Sequence, residues 1–345
     1  MIDFRKLPKG ISITFIFIIS LTVLNHYFFW NIIKIEDLIK EDIYYAWKEG
    51  VNIVDGNNPY ARTLLGNLRD NDKYPTYLPF VYIFSAITNK LGFNTFEEFI
   101  NIWRPLSLLM HLITGILVFN IYIKKGFYNL AIISSIILLL GRWSNYIIKV
   151  QHIEFVTVAF LISSILIIQK KPLISGILYG ISISLKHIGI LFLPVLLIKL
   201  GKSTRNKKSF SLKKAQKKYL LGFISQILIL VLPFIISSPK GFLASMIFPI
   251  TRFAASHGIA TGINSLLLGL DGSKVIAYLL IFYIYYISLK TKIGVFSSSL
   301  LILIVYLQFN TIIFTQYYYW LITFILLFIS EALPSIKISE SKEVK

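Results

Sequence analysis

The chain has 345 residues, of which 56% are hydrophobic and only 15% charged, and its mean hydropathy is +0.71. Soluble domains carry about a quarter of their residues charged, so this composition excludes a soluble globular enzyme, a disordered chain and a fibrous repeat, and leaves a polytopic membrane protein. The net charge of +19 is sorted along the chain: ten of the 16 acids lie between Glu36 and Glu98, while Lys199 to Lys218 holds nine Lys/Arg and no acid. That pattern is charge partitioned by membrane side, with anionic lipid opposite the bases, and not a nucleic-acid-binding face.

Residues 10–33 are uncharged and follow Arg5, Lys6 and Lys9. The run is too long for a signal sequence and no small-residue cleavage site follows, so it reads as a retained first helix with its N-terminus inside. Further uncharged runs cover 105–123, 126–141, 155–169, 219–239, 253–270, 275–289 and 293–330; the last is long enough for two helices, with a break near Gln308, Asn310 and Thr311. Lys124-Lys125, Lys170-Lys171, the stretch 199–218, and Lys290 with Lys292 lack nearby acids. If each is cytoplasmic, an even number of crossings separates each neighbouring pair.

This parity rule divides residues 172–198, whose one charge is Lys186, into two short helices meeting at Lys186-His187. The expectation is therefore an all-α, single-domain membrane protein over 1–345 with about ten transmembrane helices and its C-terminal tail inside. A long outer loop spans 34–100, a basic cytoplasmic loop spans 199–218, and other outer segments are Arg142 to Glu154, 239–274 and about 308–316. Within the first loop, residues 77–87 read as a surface-lying helix.

That loop holds the densest chemistry. Glu36-Asp37 and Glu41-Asp42 follow the first membrane helix. A carboxylate there either takes a proton from an acceptor hydroxyl or forms a solvated first helical turn, where acids favour the dipole. Asp55-Gly56-Asn57-Asn58-Pro59-Tyr60 is turn chemistry. Lys73-Tyr74-Pro75-Thr76-Tyr77-Leu78-Pro79 is a second irregular, aromatic stretch, either a sugar-stacking wall or an interfacial belt. His152, His187 and His257 could all lie outside, but their spacing suits hydrogen bonding and not a zinc site, so no metal or cofactor is expected.

An acid pair, then Gly-x-x-Pro-Tyr, then Tyr-Pro-x-x-x-Pro resembles the first outer loop of the GT-C glycosyltransferases, which use polyprenyl-phosphate sugars. The nearest likeness is to bacterial polyprenol-phosphate-mannose mannosyltransferases and to the first mannosyltransferase of GPI-anchor assembly. Gln151-His152-Ile153-Glu154, then Gly176, Tyr179-Gly180, Lys186 and Pro194, follow in the order those families show. Thr315-Gln316-Tyr317 through Trp320 is similar to their Gln-Tyr-x-x-Trp element, and Phe248-Pro249-x-x-Arg252 with His257 and Asn264 to a loop of related glucosyltransferases. Thr76 replaces the usual second Pro, and the stretch from Tyr60 to Tyr74 is long.

The resemblance implies a multi-pass protein of the plasma membrane (the bacterial inner membrane in the nearest likeness), with an extracytoplasmic active site. It implies an inverting transfer of a hexose, mannose favoured, from a polyprenyl-phosphate sugar to a lipid-linked or envelope glycan. Asp42 matches the family's catalytic base, with Glu41 completing the pair. Tyr60, Tyr74, Gln151, Glu154, His257, Gln316 and Tyr317 would contact substrate. A leaving phosphate needs cations where charge develops, and Arg252, Lys186 and Arg142 are the outer candidates. The alternative is a lipid or glycan transporter, against which no internal repeat is evident.

Overall fold

A computed structural model describes residues 7–66, 73–202, 213–251, 263–309 and 314–334, and all regular structure among them is helical. The helices are α1 (Lys9–Ile32), α2 (Ile35–Leu38), α3 (Asp42–Val54), α4 (Phe80–Lys90), α5 (Phe96–Lys124), α6 (Tyr128–Leu140), α7 (Arg142–Val150) and α8 (Glu154–Ile167). They continue with α9 (Pro172–Leu185), α10 (Leu193–Lys202), α11 (Lys214–Ser237), α12 (Pro239–Thr251), α13 (Ile263–Lys290), α14 (Val295–Phe309) and α15 (Tyr317–Ala332). Two short 3₁₀ segments, Pro59–Leu64 and His187–Phe192, complete the described elements.

Among the described residues, four helical stretches are long and apolar enough to cross a membrane: Lys9–Ile32, Phe96–Lys124, Tyr128–Val150 and Lys214–Ser237. Shorter apolar helical stretches are Glu154–Ile167, Pro172–Leu185, Val275–Lys290 within α13, Val295–Phe309 and Tyr317–Ala332. Their outward faces are apolar: on α11, Ile229 is 74% and Ile236 72% exposed. Water would not tolerate such a belt on a folded protein, whereas hydrocarbon covers it without cost. The chain is a helical membrane protein.

Local chemistry accounts for the element boundaries. A reciprocal capping box starts α5: the Glu98 amide donates to Thr95 Oγ1 (3.2 Å) and the Thr95 amide to Glu98 Oε2 (2.9 Å). The long apolar run 172–198 is broken as charge parity requires. Helix α9 ends at Leu185, Lys186 is extended (φ −150°, ψ 109°), and the 3₁₀ segment begins at His187. The expected outer loop 239–274 differs from its sequence reading. It is largely helical, because Pro239 starts α12 and α13 opens at Ile263, with residues 252–262 outside the description. The long run 293–330 is divided near Gln308 as expected: α14 ends at Phe309 and α15 begins at Tyr317, while Asn310 and Thr311 lie outside the described residues.

The described residues of the segment 34–100 fold into a compact unit of α2, α3, α4 and the first turns of α5, around Leu38, Ile43, Tyr82, Phe99 and Trp103. It is tied down at several points. Glu49 on α3 pairs with Arg62 at 2.5 Å and accepts from Asn52 at 2.8 Å. Asn58 donates to the Phe234 carbonyl at 2.9 Å, docking the loop on α11.

Helices α9 and α11 meet through glycine. A Cβ on Gly176 would collide with the Tyr219 carbonyl, and one on Gly222 with the Leu173 carbonyl. Small residues permit this backbone approach where lipid offers no hydrophobic drive for association. Gly222→Val should therefore force the pair apart and destabilise the purified protein by about 1–3 kcal/mol. Thermal unfolding in detergent checks this; an unchanged midpoint would contradict the packing.

Candidate active site

Three neighbouring features of the fold converge near the 34–100 segment. The first is the start of α3, where Asp42 is the first helical residue. The second is the α7–α8 turn. Gln151 takes a left-handed conformation (φ 51°, ψ 38°) that reverses the chain directly into Glu154, and the Trp103 indole donates to the Gln151 carbonyl at 3.0 Å. A non-glycine residue in that region bears strain, and the contact from α5 helps to hold it. The third is the α9 break, which leaves Lys186 on the bundle interior.

Side chains from all three connect in one chain. His152 Nε2 lies 2.9 Å from Asp42 Oδ2, and its Nδ1 bonds Glu154 Oε2. Glu154 Oε1 accepts from the Lys186 ammonium. Both partners of the His152 ring are carboxylates, which accept only, so the geometry calls for an imidazolium donating from both nitrogens. Burial opposes that charge, but the Glu154 carboxylate and the hydrogen bonds to Glu154 and Asp42 outweigh it, and the His152 pKa is raised from 6.5 to about 9.

Asp42 has two more donors. Lys73 reaches Oδ1 at 3.0 Å, and the Tyr77 hydroxyl reaches Oδ2 at 2.9 Å. Burial would raise its pKa, but the hydrogen bond and charge of His152, followed by those of Lys73, hold it well below the ordinary value. The side chain is still 32% exposed, so a ligand has access to it. Lys73 itself has φ 51°, and its carbonyl accepts from Arg62 at 3.0 Å. The conformation that aims its ammonium at Asp42 is thereby held by the ion pair that orders the loop.

The residues singled out from sequence separate into groups. Asp42, Glu154 and Lys186 come together. Tyr317 joins them, with the Lys186 ammonium 4.6 Å from its ring centroid. Gln316 lies beside them, its amide nitrogen 3.5 Å from His152 Nε2. Glu41 is next in sequence but turns into a neighbouring cavity with Asp37 and Lys149. Burial, partly offset by the His152 charge, raises the Glu41 pKa above the ordinary value.

Tyr60 and Tyr74 are not placed on the Asp42 carboxylate. Tyr60 is fully buried between Phe234 and Phe242, and its hydroxyl donates to the Tyr77 carbonyl at 2.8 Å. It thus positions Tyr77. Tyr74 is buried against Phe248 and under the Arg62 guanidinium. The Gln151 side chain folds back on the Ile148 carbonyl at 2.6 Å. Arg142 sits at the opposite end of α7, exposed and over the Trp143 ring. Arg252 and His257 lie outside the described residues.

Sequence reasoning left out His152, Lys73 and Tyr77 as site residues. The signal for His152 was its position two residues before an acid at a helix start. Lys73 and Tyr77 stand in the same irregular stretch as Tyr74, with nothing in their spacing to separate them. Among the described residues no group of three or more His, Asp or Glu side chains is arranged to hold a metal ion. Comparison with protein-family models, curated proteins and solved structures finds no match.

Chemically, the site offers an ionised, accessible carboxylate beside a buried relay of alternating charge, Asp42–His152–Glu154–Lys186. Because the His152 pKa in the fold exceeds its ordinary 6.5, its stabilising contribution is fully present below that pH and is lost as pH rises through about 9. The thermal midpoint should fall over this window in the wild type and stay flatter in His152→Gln. Parallel curves for the two proteins would contradict the imidazolium assignment.

Proposed function

We propose that the protein is an inverting membrane glycosyltransferase with Asp42 as its base, using a polyprenyl-phosphate sugar as donor and a lipid-linked or envelope glycan as acceptor. In this reading the chain crosses the membrane ten times, with the lysine-rich connections inside and Asp42 on the extracytoplasmic face. The observation that carries it is the Asp42 carboxylate, fixed by Lys73, Tyr77 and His152 yet open to a ligand, with the Lys186 ammonium one relay away.

An acceptor hydroxyl attacks the anomeric carbon from the face opposite the phosphate. The new C–O bond forms as the bond to the phosphate oxygen breaks, and the hydroxyl proton passes to Asp42. Lys73 and His152 hold the pKa of this carboxylate below its ordinary value and so favour its ionised form. Its weak basicity means that the proton moves late, when the attacking oxygen has become strongly acidic. The donor leaves as polyprenyl phosphate, whose growing charge is met by ammonium groups such as Lys186 and Lys73. Mannose follows from the family resemblance alone, as does the lipid chemistry of the donor.

The same Asp–His–Glu chain also has the form of a proton relay, which favours proton-coupled lipid or glycan transport as a second reading. One variant separates the two. Asp42→Asn keeps a carbonyl oxygen for Tyr77 and His152, so the protein should remain folded and membrane-inserted. Sugar transfer from polyprenyl-phosphate mannose in proteoliposomes should fall by about 10²–10⁴-fold. Full transfer by the folded variant would remove Asp42 from the reaction. Loss of labelled-lipid movement without any acceptor would instead support the transporter.

A further inference from the structure

Beside the relay lies a cavity that the proposed reaction does not use. It has a volume of about 300 Å³ and is lined by Ile33, Asp37, Leu38, Glu41, Lys149 and Val150. It sits just past the end of α1, a stretch long and apolar enough to cross a membrane, between α2 and the last turn of α7. Ile33, Leu38 and Val150 form an apolar wall. Asp37 and Glu41 supply two carboxylates, and Lys149 supplies a cation.

A second observation comes from α5. Arg104 is only 8% exposed, and no carboxylate among the described residues lies within ion-pair distance of it. One guanidinium nitrogen donates to the Ile33 carbonyl at 3.3 Å, on the cavity's own wall, while Nε is buried without a partner. Glu97, on the same helix, offsets the burial of this guanidinium only in part, and an anion brought to this edge would offset the rest. Glu41 feels the Lys149 charge across the cavity and Arg104 stands behind Ile33, so the site matches a ligand that carries both charges and an apolar part.

We propose that this cavity binds the headgroup of a zwitterionic phospholipid, its primary ammonium against Asp37 and Glu41 and its phosphate against Lys149 and Arg104. The ammonium donates hydrogen bonds to the two carboxylates, and the acyl chains follow the apolar wall towards α1. A headgroup with phosphate alone would leave the acids facing each other, and a quaternary ammonium would have no N–H to donate. The site is independent of glycosyl transfer: it holds lipid whether or not the neighbouring relay is a reaction centre.

The test uses the purified full-length protein, exchanged into equimolar phosphatidylethanolamine, phosphatidylglycerol and phosphatidylcholine. Lipid retained after delipidation is read by native mass spectrometry. Phosphatidylethanolamine should be retained over each of the others by roughly tenfold, the scale of one charge-assisted hydrogen bond. Asp37→Asn and Lys149→Gln, both on exposed side chains, should fold normally; the first should erase most of that preference, and the second should lower retention of all three lipids, because each carries the phosphate. Equal retention of phosphatidylglycerol or phosphatidylcholine would overturn the assignment, as would a preference unchanged in Asp37→Asn.

Discussion

The arrangement depends on one buried carboxylate shared by two cations. Glu154 is 0% exposed, and its two oxygens are taken by the His152 ring and the Lys186 ammonium. Moving any of these charges out of water costs several kcal/mol, and the cost is offset only when all are paired in good geometry. Glu154 therefore constrains the backbone at two places. The α7–α8 turn must present His152 and Glu154 side by side, which the left-handed Gln151 achieves, and the α9 helix must end at Leu185 so that Lys186 can reach inward.

The relay also explains the rigidity around Asp42. The segment 34–100, with its turns and irregular aromatic stretch, would be expected to move. Here Arg62 joins Glu49 to the Lys73 carbonyl, and Tyr60 holds the Tyr77 carbonyl, so the two donors to Asp42 are fixed from behind. His152 completes the set from the α7–α8 turn. A carboxylate held by three donors is preorganised and ionised before any ligand arrives, which suits a group that acts on an incoming hydroxyl.

Much of this was legible in the sequence, though unevenly. The break at Lys186 followed from counting lysine-rich connections, because the positive-inside rule acts on the whole chain and needs no contact information. Asp42, Glu154, Gln316 and Tyr317 were found as a set in order, and the fold brings them to one place. Tyr60 and Tyr74 misled, because an aromatic residue in an outer loop reads alike whether its ring faces a sugar or another ring. Lys73 escaped notice, since its role comes from a positive φ that its neighbours do not signal. Helix α12 was read as loop because helical propensity at a short Gly- and Pro-containing segment is overridden by packing, here against the first loop through Tyr60 and Phe242.

The pairing at the centre can be measured directly by a double-mutant cycle. Glu154→Gln leaves two buried cations without their shared partner, and Lys186→Met leaves the carboxylate half satisfied. Unfolding free energies of the two single variants and of the double variant, determined in one detergent, give the coupling. The account predicts that each single change costs about 3–5 kcal/mol and that the double variant recovers a large part of the sum. Strict additivity would mean that Glu154 and Lys186 do not pair, and the link between the α9 break and Asp42 would be lost.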